Sequence, residues 1–416
     1  MNFPSNRKIH KLEAYEKYLY HQFSQNHRSM FRRYVIHFFA SIIARFIGLI
    51  RCFRMFMATS TKVDFLFLPV CKQDAQRLEK ISDILEQSGF SVVTEVQQNF
   101  KGKLRASQFC WVPLSIPIFL TVAYSNAVFY VRKFQPKIIV FVQNTGVFPS
   151  VIRSILDKDG LTVNISHSVT FSDALFSSFD FDYYLMFGKS SLQHAKKNKF
   201  RYGDTKIVLT GSPFVGASLS DLKRNLPNKT ILYCSQWVQS GDVYETYRSH
   251  EILIEYARRN PYVKVYIKLH PIENGMYWKR KVSDVQNVTV LDSGDSLISA
   301  LKKVSVCVVA SSNVAIEATL AHRPIVSIDI SGIADEYLNV SRYFPRAKNI
   351  DDFESAMLEV FSKYDYYLDR CKDFSCFHME YLSDSQKVIS NCLSLIFRGD
   401  DVHCDEKLKE TYSWSM

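Results

Sequence analysis

The sequence predicts an α/β protein of two doubly wound parallel-sheet domains facing a cleft, preceded by an amphipathic helical segment. Three observations carry this. Short apolar runs alternate with helix-spaced segments from Val63 to Ile330. One polar connection, Ala217 to Lys229, interrupts the alternation just after Gly211-Ser212-Pro213. The first 58 residues have a composition of their own: ten Lys/Arg against two Glu, so that +8 of the chain's net +11 sits there. The expected division is residues 1–60, 61–215, 216–350 and a helical tail over 351–416.

A chain of 416 residues has room for two cores. Its 47% apolar and 22% charged residues are those of a folded protein. A nucleic-acid binder carries its basic stripe on the folded body. Here the basicity falls on a segment that is also apolar, which points to an anionic membrane surface and away from nucleic acid. Nine Cys are scattered without a CxxC pair, so no metal centre or other cofactor is expected. Cys234 and Cys307 sit in apolar runs, as small core residues do, in keeping with a reducing compartment. The first apolar run begins near Tyr34, too late for a secretory signal.

Arg45, Arg51 and Arg54 interrupt the run from Tyr34 to Met57, leaving about half of the ~20 uncharged residues that a span needs. At about 100° per residue, Val35, Phe38, Phe39, Ile42, Phe46, Leu49, Phe53, Phe56 and Met57 share one arc. Arg32, Arg33, Arg51 and Arg54 fall in the next, with Arg45 at its edge. A phenylalanine face beside an arginine face suits a helix lying in a headgroup layer. The expected location is therefore cytoplasmic, peripheral on the inner face of the cell membrane. A helix packed on the protein's own body or on a second subunit is the alternative.

In the first domain the expected strands are Val63–Val70, Ser91–Val96, Lys137–Gln143, Leu161–Ser166 and Tyr183–Phe187. Helices are expected over Lys72–Ser88, after Pro117 and over Phe148–Lys158. In the second the expected strands are Thr230–Cys234, Val263–Leu269, Val288–Leu291, Ser305–Ala310 and Ile325–Ile330. The helices between them are Tyr244–Arg259, Ser296–Lys303 and Asn313–Ala321. Asp351 to Arg398 reads as two helices, and Gly399 to Met416 as a frayed polar end.

Ligands of such sheets bind beyond the carboxyl ends of the strands, so the polar residues there are the candidates. Lys268-Leu269-His270-Pro271 closes one strand. His270 can donate to a phosphate oxygen, Lys268 adds charge, and Pro271 helps to fix the direction of the chain. Ser311 and Ser312 follow an apolar strand and open a helix, where hydroxyls and free N–H groups make an anion site. A plain N-cap is the bland reading of that pair. Glu317, one turn on, stands at the height of ribose hydroxyls or merely complements the helix dipole. Together these groups suit a nucleotide's phosphate and ribose.

In the first domain His167 ends a strand, where an imidazole can act as general base toward an acceptor hydroxyl. A structural histidine is the alternative, and Asp173 is a weaker candidate for the same role. Gln143-Asn144-Thr145-Gly146 is a second polar strand end. Asp180-Phe181-Asp182 has the spacing of a metal-diphosphate motif, but it precedes its strand and reads as a turn. Asp157-Lys158-Asp159-Gly160 also reads as a turn.

From Gln143 to Gly332, the order TGSP, ILYCSQW, KLHP, SSNVAIEA and RPIVSID resembles bacterial GT-B transferases of surface polysaccharide synthesis. Two groups are similar: the CDP-glycerol glycerophosphotransferase-like enzymes, and the sialyl- and polysialyltransferases that use CMP-sialic acid. The resemblance implies two Rossmann-like domains, 61–215 on the acceptor side and 216–350 on the nucleotide-donor side. It implies that a His-Pro and a Ser-Ser motif hold the donor phosphate, a role falling on His270, Pro271, Ser311 and Ser312. In the first group a His-Gly motif supplies the base; the matching position is His167, followed here by Ser168. In the second the base belongs to an acidic-acidic-Gly motif that Asp157-Lys158-Asp159-Gly160 only approximates.

The implied activity is metal-independent transfer of a sugar (or polyol phosphate) from a CMP-, CDP- or UDP-activated donor. The acceptor would be a hydroxyl of a growing bacterial surface glycan (capsule, lipooligosaccharide or teichoic-acid-like) or of a lipid-linked precursor. Two alternatives stay open: a UDP-N-acetylglucosamine 2-epimerase-like enzyme, and a non-catalytic component of a polysaccharide assembly complex.

Overall fold

The computed structural model describes residues 5–23, 35–48, 60–97, 110–142, 146–156, 158–169, 176–215, 219, 221–225, 227–235, 243–270, 273, 275–292, 294–310 and 312–412. The chain divides into two compact units, each carrying one sheet.

The first unit comprises residues 1–187, 191–214 and 386–416. In chain order it opens with α1 (Asn6–Phe23), α2 (35–48), β1 (Phe65–Leu68), α3 (Lys72–Gln87) and β2 (Val92–Thr94). Then come α4 (Thr121–Phe134), β3 (Ile138–Phe141), α5 (Phe148–Ile155), β4 (Leu161–Ile165), β5 (Tyr183–Met186), α6 (Lys189–Lys197) and β6 (Thr205–Leu209). α1 buries Ile9, Leu12, Tyr15 and Leu19 in this unit's core. Tyr15 stacks on Tyr202 at 4.2 Å and shares a 2.8 Å hydrogen bond with the Ser177 hydroxyl.

The second unit comprises residues 188–190 and 215–385. Its elements are β7 (Thr230–Cys234), α7 (Val243–Arg259), β8 (Lys264–Lys268), α8 (Met276–Lys281), β9 (Val288–Val290), α9 (Leu297–Lys302) and β10 (Val306–Val309). They continue with α10 (Val314–Leu320), β11 (Ile325–Ile328), α11 (Ile333–Leu338), β12 (Arg346–Ala347), α12 (Ile350–Ser362) and α13 (Tyr364–His378). The chain ends with α14 (Ser385–Arg398) and β13 (Glu406–Leu408), both on the first unit's sheet.

The sheet orders are β13-β6-β5-β4-β3-β1-β2 and β12-β11-β10-β7-β8-β9. All neighbours are parallel except β13 and β6. The central strands Phe65–Leu68, Ile138–Phe141 and Val306–Val309 are buried along their whole length, which is why they are continuous apolar runs rather than alternating ones. Phe65 and Phe67 pack with Leu78, Ile81 and Leu85 of α3 and with Ile389 and Leu393 of α14. Leu66 and Leu68 face the opposite core.

The expected fold class holds. The tail differs from expectation in two ways. Residues 350–398 form three helices rather than two. The described part of the polar end, 399–412, is paired rather than frayed: without it β6 would present an edge of open N–H and C=O groups. Asp405 Oδ2 accepts from Leu209 N at 2.8 Å and Glu410 N donates to Asp204 Oδ1 at 2.8 Å, while Lys196 pairs with Glu406. Among the described residues no helix is long and apolar enough to cross a membrane.

Candidate functional site

In the second unit β7 lies between β8 and β10. The chain runs outward through β8 and β9 on one side, then returns to β10 on the other. This reversal is a topological switch point, where doubly wound sheets bind ligands beyond the strand carboxyl ends. Lys268 and His270 close β8, Ser235 follows β7, and Ser312 follows β10. At the usual strand spacing the β8 and β10 ends are about 10 Å apart. Lys268, His270, Ser312 and Glu317 are thus brought to one edge of one sheet. Pro271 and Ser311 lie outside the described residues.

Glu273 organises this edge, and the sequence reading missed it. Its carboxylate accepts from His270 N at 3.3 Å, from Ser235 Oγ at 3.0 Å and from Trp278 Nε1 at 2.9 Å. Its own N–H donates to the His270 carbonyl at 2.8 Å. One acidic side chain therefore ties the end of β7, the turn after β8 and the start of α8. Such charge-assisted bonds are about twice as strong as neutral ones. The available signal was local: an acid three residues after His270, with a Trp five further on.

Trp278 is fully buried, 4.2 Å from the His250 ring and 5.7 Å from Tyr233. Burial pushes the His250 pKa down to about 3. Its Nδ1 lies 3.4 Å from the Tyr277 hydroxyl, while Nε2 has no hydrogen-bond partner among the described residues. A neutral imidazole is the only form that this aromatic cluster tolerates well.

Across β7, Ser312 Oγ accepts from Val314 N at 3.3 Å, so the hydroxyl helps to start α10. Glu317 sits half-buried in the first turn of that helix. Lys268 Nζ donates to the Leu269 carbonyl at 3.4 Å. The buried Cys234 thiol lies 3.9 Å from Cys307, a contact that with burial pushes its pKa well up. Glu317 adds to this shift and Lys268 opposes it, so both charges act on the same strand end.

In the first unit the switch point lies between β1 and β3. His167 follows β4, beside a bond from Ser166 Oγ to the Ser168 carbonyl at 2.7 Å. The residue reaches solvent, but protein around its ring disfavours the charged form and lowers its pKa. Asp74 opposes that shift and Arg77 adds to it. Both belong to α3, which follows β1, and Arg77 stacks over Phe214 at 4.9 Å. Gln143, Asn144, Thr145, Asp157 and Asp173 lie outside the described residues.

Asp180 and Asp182 are engaged by protein. Arg153 reaches them at 2.6 and 2.9 Å, and Asp182 Oδ2 also accepts from Thr162 N at 2.8 Å and from Thr162 Oγ1 at 2.9 Å. The pair ties α5 to the strand edge, as a turn reading anticipates. A depression of about 730 Å³ opens at the amino ends of β8 and β9, beside Lys264, Tyr266, Asn287 and Thr289. It lies at the opposite end of the strands from His270.

No family model matches the chain, and no curated protein matches it in sequence. Solved structures do match in fold. UDP-GlcNAc 2-epimerase from Neisseria meningitidis bound to UDP-GlcNAc is 12% identical, covering 80% of this chain and 99% of that one, with a TM-score of 0.55. The glycotransferase of kitacinnamycin is 12% identical, covering 82% and 100%, with a TM-score of 0.53. The wall teichoic acid polymerase TagF, soaked with CDPG, is 10% identical, covering 90% and 99%, with a TM-score of 0.50. With its two parallel-sheet α/β units, the chain has the GT-B fold shared by these glycosyltransferases and epimerases.

Proposed function

We propose that this protein is a transferase that moves a sugar or polyol phosphate from a pyrimidine-nucleotide donor to a hydroxyl of a growing surface glycan. The observation that carries the reading is that Lys268 and His270 close β8 and Ser312 follows β10, the two strands that flank β7 at a switch point, with the His270 turn held by Glu273. Two proteins of this fold support the donor class, one bound to UDP-GlcNAc and one soaked with CDPG.

In this reading His270 and Lys268, completed by Pro271 and the Ser311-Ser312 hydroxyls, stabilise the charge that develops on the leaving phosphate. Glu317 accepts from the ribose hydroxyls. The bond to the leaving phosphate breaks as the acceptor oxygen attacks, and the acceptor's proton passes to His167. The lowered pKa of His167 keeps the ring neutral, the state a base requires.

A thermal-shift panel of CMP, CDP, UDP and GDP on the whole chain tests the donor site, because a ligand that binds only the folded form raises Tm. One pyrimidine nucleotide should shift the wild type and leave His270→Ala unmoved; an equal shift in the variant overturns the role of His270. The shared fold also favours a second reading, a sugar-nucleotide 2-epimerase. Incubation with UDP-GlcNAc alone separates the two, since an epimerase produces the epimer without an acceptor.

A further inference from the structure

α2 packs on segment 110–120 through its small residues. Ala40, Ser41 and Ala44 are buried, and a Cβ on Gly48 would collide with the Cys110 carbonyl. Ser41 Oγ donates to Ile118 O at 2.6 Å and Arg45 Nη2 to Ile116 O at 2.5 Å. Arg45, expected at the edge of a solvent-facing arginine arc, is thus turned into the body. Ser125 of α4 clamps the segment from the other side, accepting from Cys110 N at 2.7 Å and donating to Cys110 O at 2.9 Å.

This packing leaves the large apolar side chains outside. Phe39 is 58% exposed, Phe46 65%, Trp111 44% and Leu114 86%, and Ile42 and Ile118 are exposed as well. Large apolar side chains exposed together on two packed elements are the mark of an interaction surface. The flanking chain has a single sign of charge. Between Tyr18 and Val63 there are seven Lys/Arg and no Asp/Glu, and between Val96 and Leu156 again seven and none. An apolar face that offers few hydrogen-bonding groups, in chain that lacks carboxylates, complements an anionic lipid surface.

We propose that α2 and the 111–118 segment dock together on an anionic bilayer, as one surface of two elements held in register by Ser41, Arg45 and Gly48. The sequence expectation assigned this role to the helix alone. The proposal is independent of the donor-site reading.

The test is co-sedimentation of the whole chain with vesicles of phosphatidylcholine, alone or mixed with phosphatidylglycerol. Wild type should bind the mixed vesicles and loosen as salt rises. Leu114→Glu and the double variant Phe39→Glu/Phe46→Glu should each lower partitioning by about tenfold or more, with unchanged melting by circular dichroism. Wild-type-like sedimentation of Leu114→Glu overturns the two-element surface. So does wild type that stays in the supernatant. Light scattering that shows a dimer which both variants dissolve would assign the face to a second copy instead.

Discussion

The two units share a winding rule but hold their strand ends differently. In the second, one carboxylate joins the His270 turn to β7 and α8, and a buried aromatic cluster backs it. In the first, His167 reaches solvent, beside a bond from Ser166 Oγ to the Ser168 carbonyl and one from Ser166 N to the Leu185 carbonyl. Groups that must meet charge developing on a phosphate gain from being fixed beforehand, because a preorganised dipole costs no reorganisation during the reaction. A base toward an acceptor hydroxyl must instead stay accessible. On the proposed roles, the contrast sets a held donor-side histidine against an accessible acceptor-side one, although both stand at strand ends.

Substitutions can break that contrast. His270→Ala should lower transfer by about 10²–10³-fold and abolish the nucleotide-induced thermal shift. His167→Ala should lower kcat by about 10²-fold with the shift intact. Equal loss of the shift in both variants would erase the distinction. Because the His167 pKa is lowered, the acid limb of the kcat profile should fall below pH 6.5, the ordinary value for histidine.

Glu273→Gln sharpens the comparison from the other side. It removes the charge that three donors share, worth about 1.5–3 kcal/mol for one such bond. Tm should fall by several degrees and donor affinity by about tenfold, while His167 chemistry is untouched. An unchanged nucleotide affinity would reduce Glu273 to a purely structural tie.

The aromatic backing responds to acid. His250 titrates near 3 in the folded protein against 6.5 ordinarily. Above pH 6.5 both folded and unfolded forms are neutral, and stability is full. As pH falls toward 3 only the unfolded form gains the proton, so stability is progressively lost, by about 2 kcal/mol at pH 5. Urea titrations at pH 7 and pH 5 measure this, and His250→Phe should flatten the difference. The smallest effect belongs to β13, far from either histidine: Asp405→Ala should cost about 1 kcal/mol, read as a lower urea midpoint with donor binding unchanged.

By itself the sequence determined most of the alternation of strands and helices, though not β6, β12 or β13, and the strand ends where His167, Lys268, His270 and Ser312 stand. These properties are local: an apolar run, a helical spacing and a break between them are written in neighbouring residues. Only the tertiary structure decided what depends on distant partners. Ser235 meets Glu273 from 38 positions away, Arg45 meets Ile116 from 71, and Leu209 meets Asp405 from 196. The amphipathic pattern of residues 35–46 was legible as a pattern, but which face turns outward was set by packing. Small residues permit the close approach to segment 110–120, and among the described residues nothing covers the phenylalanines.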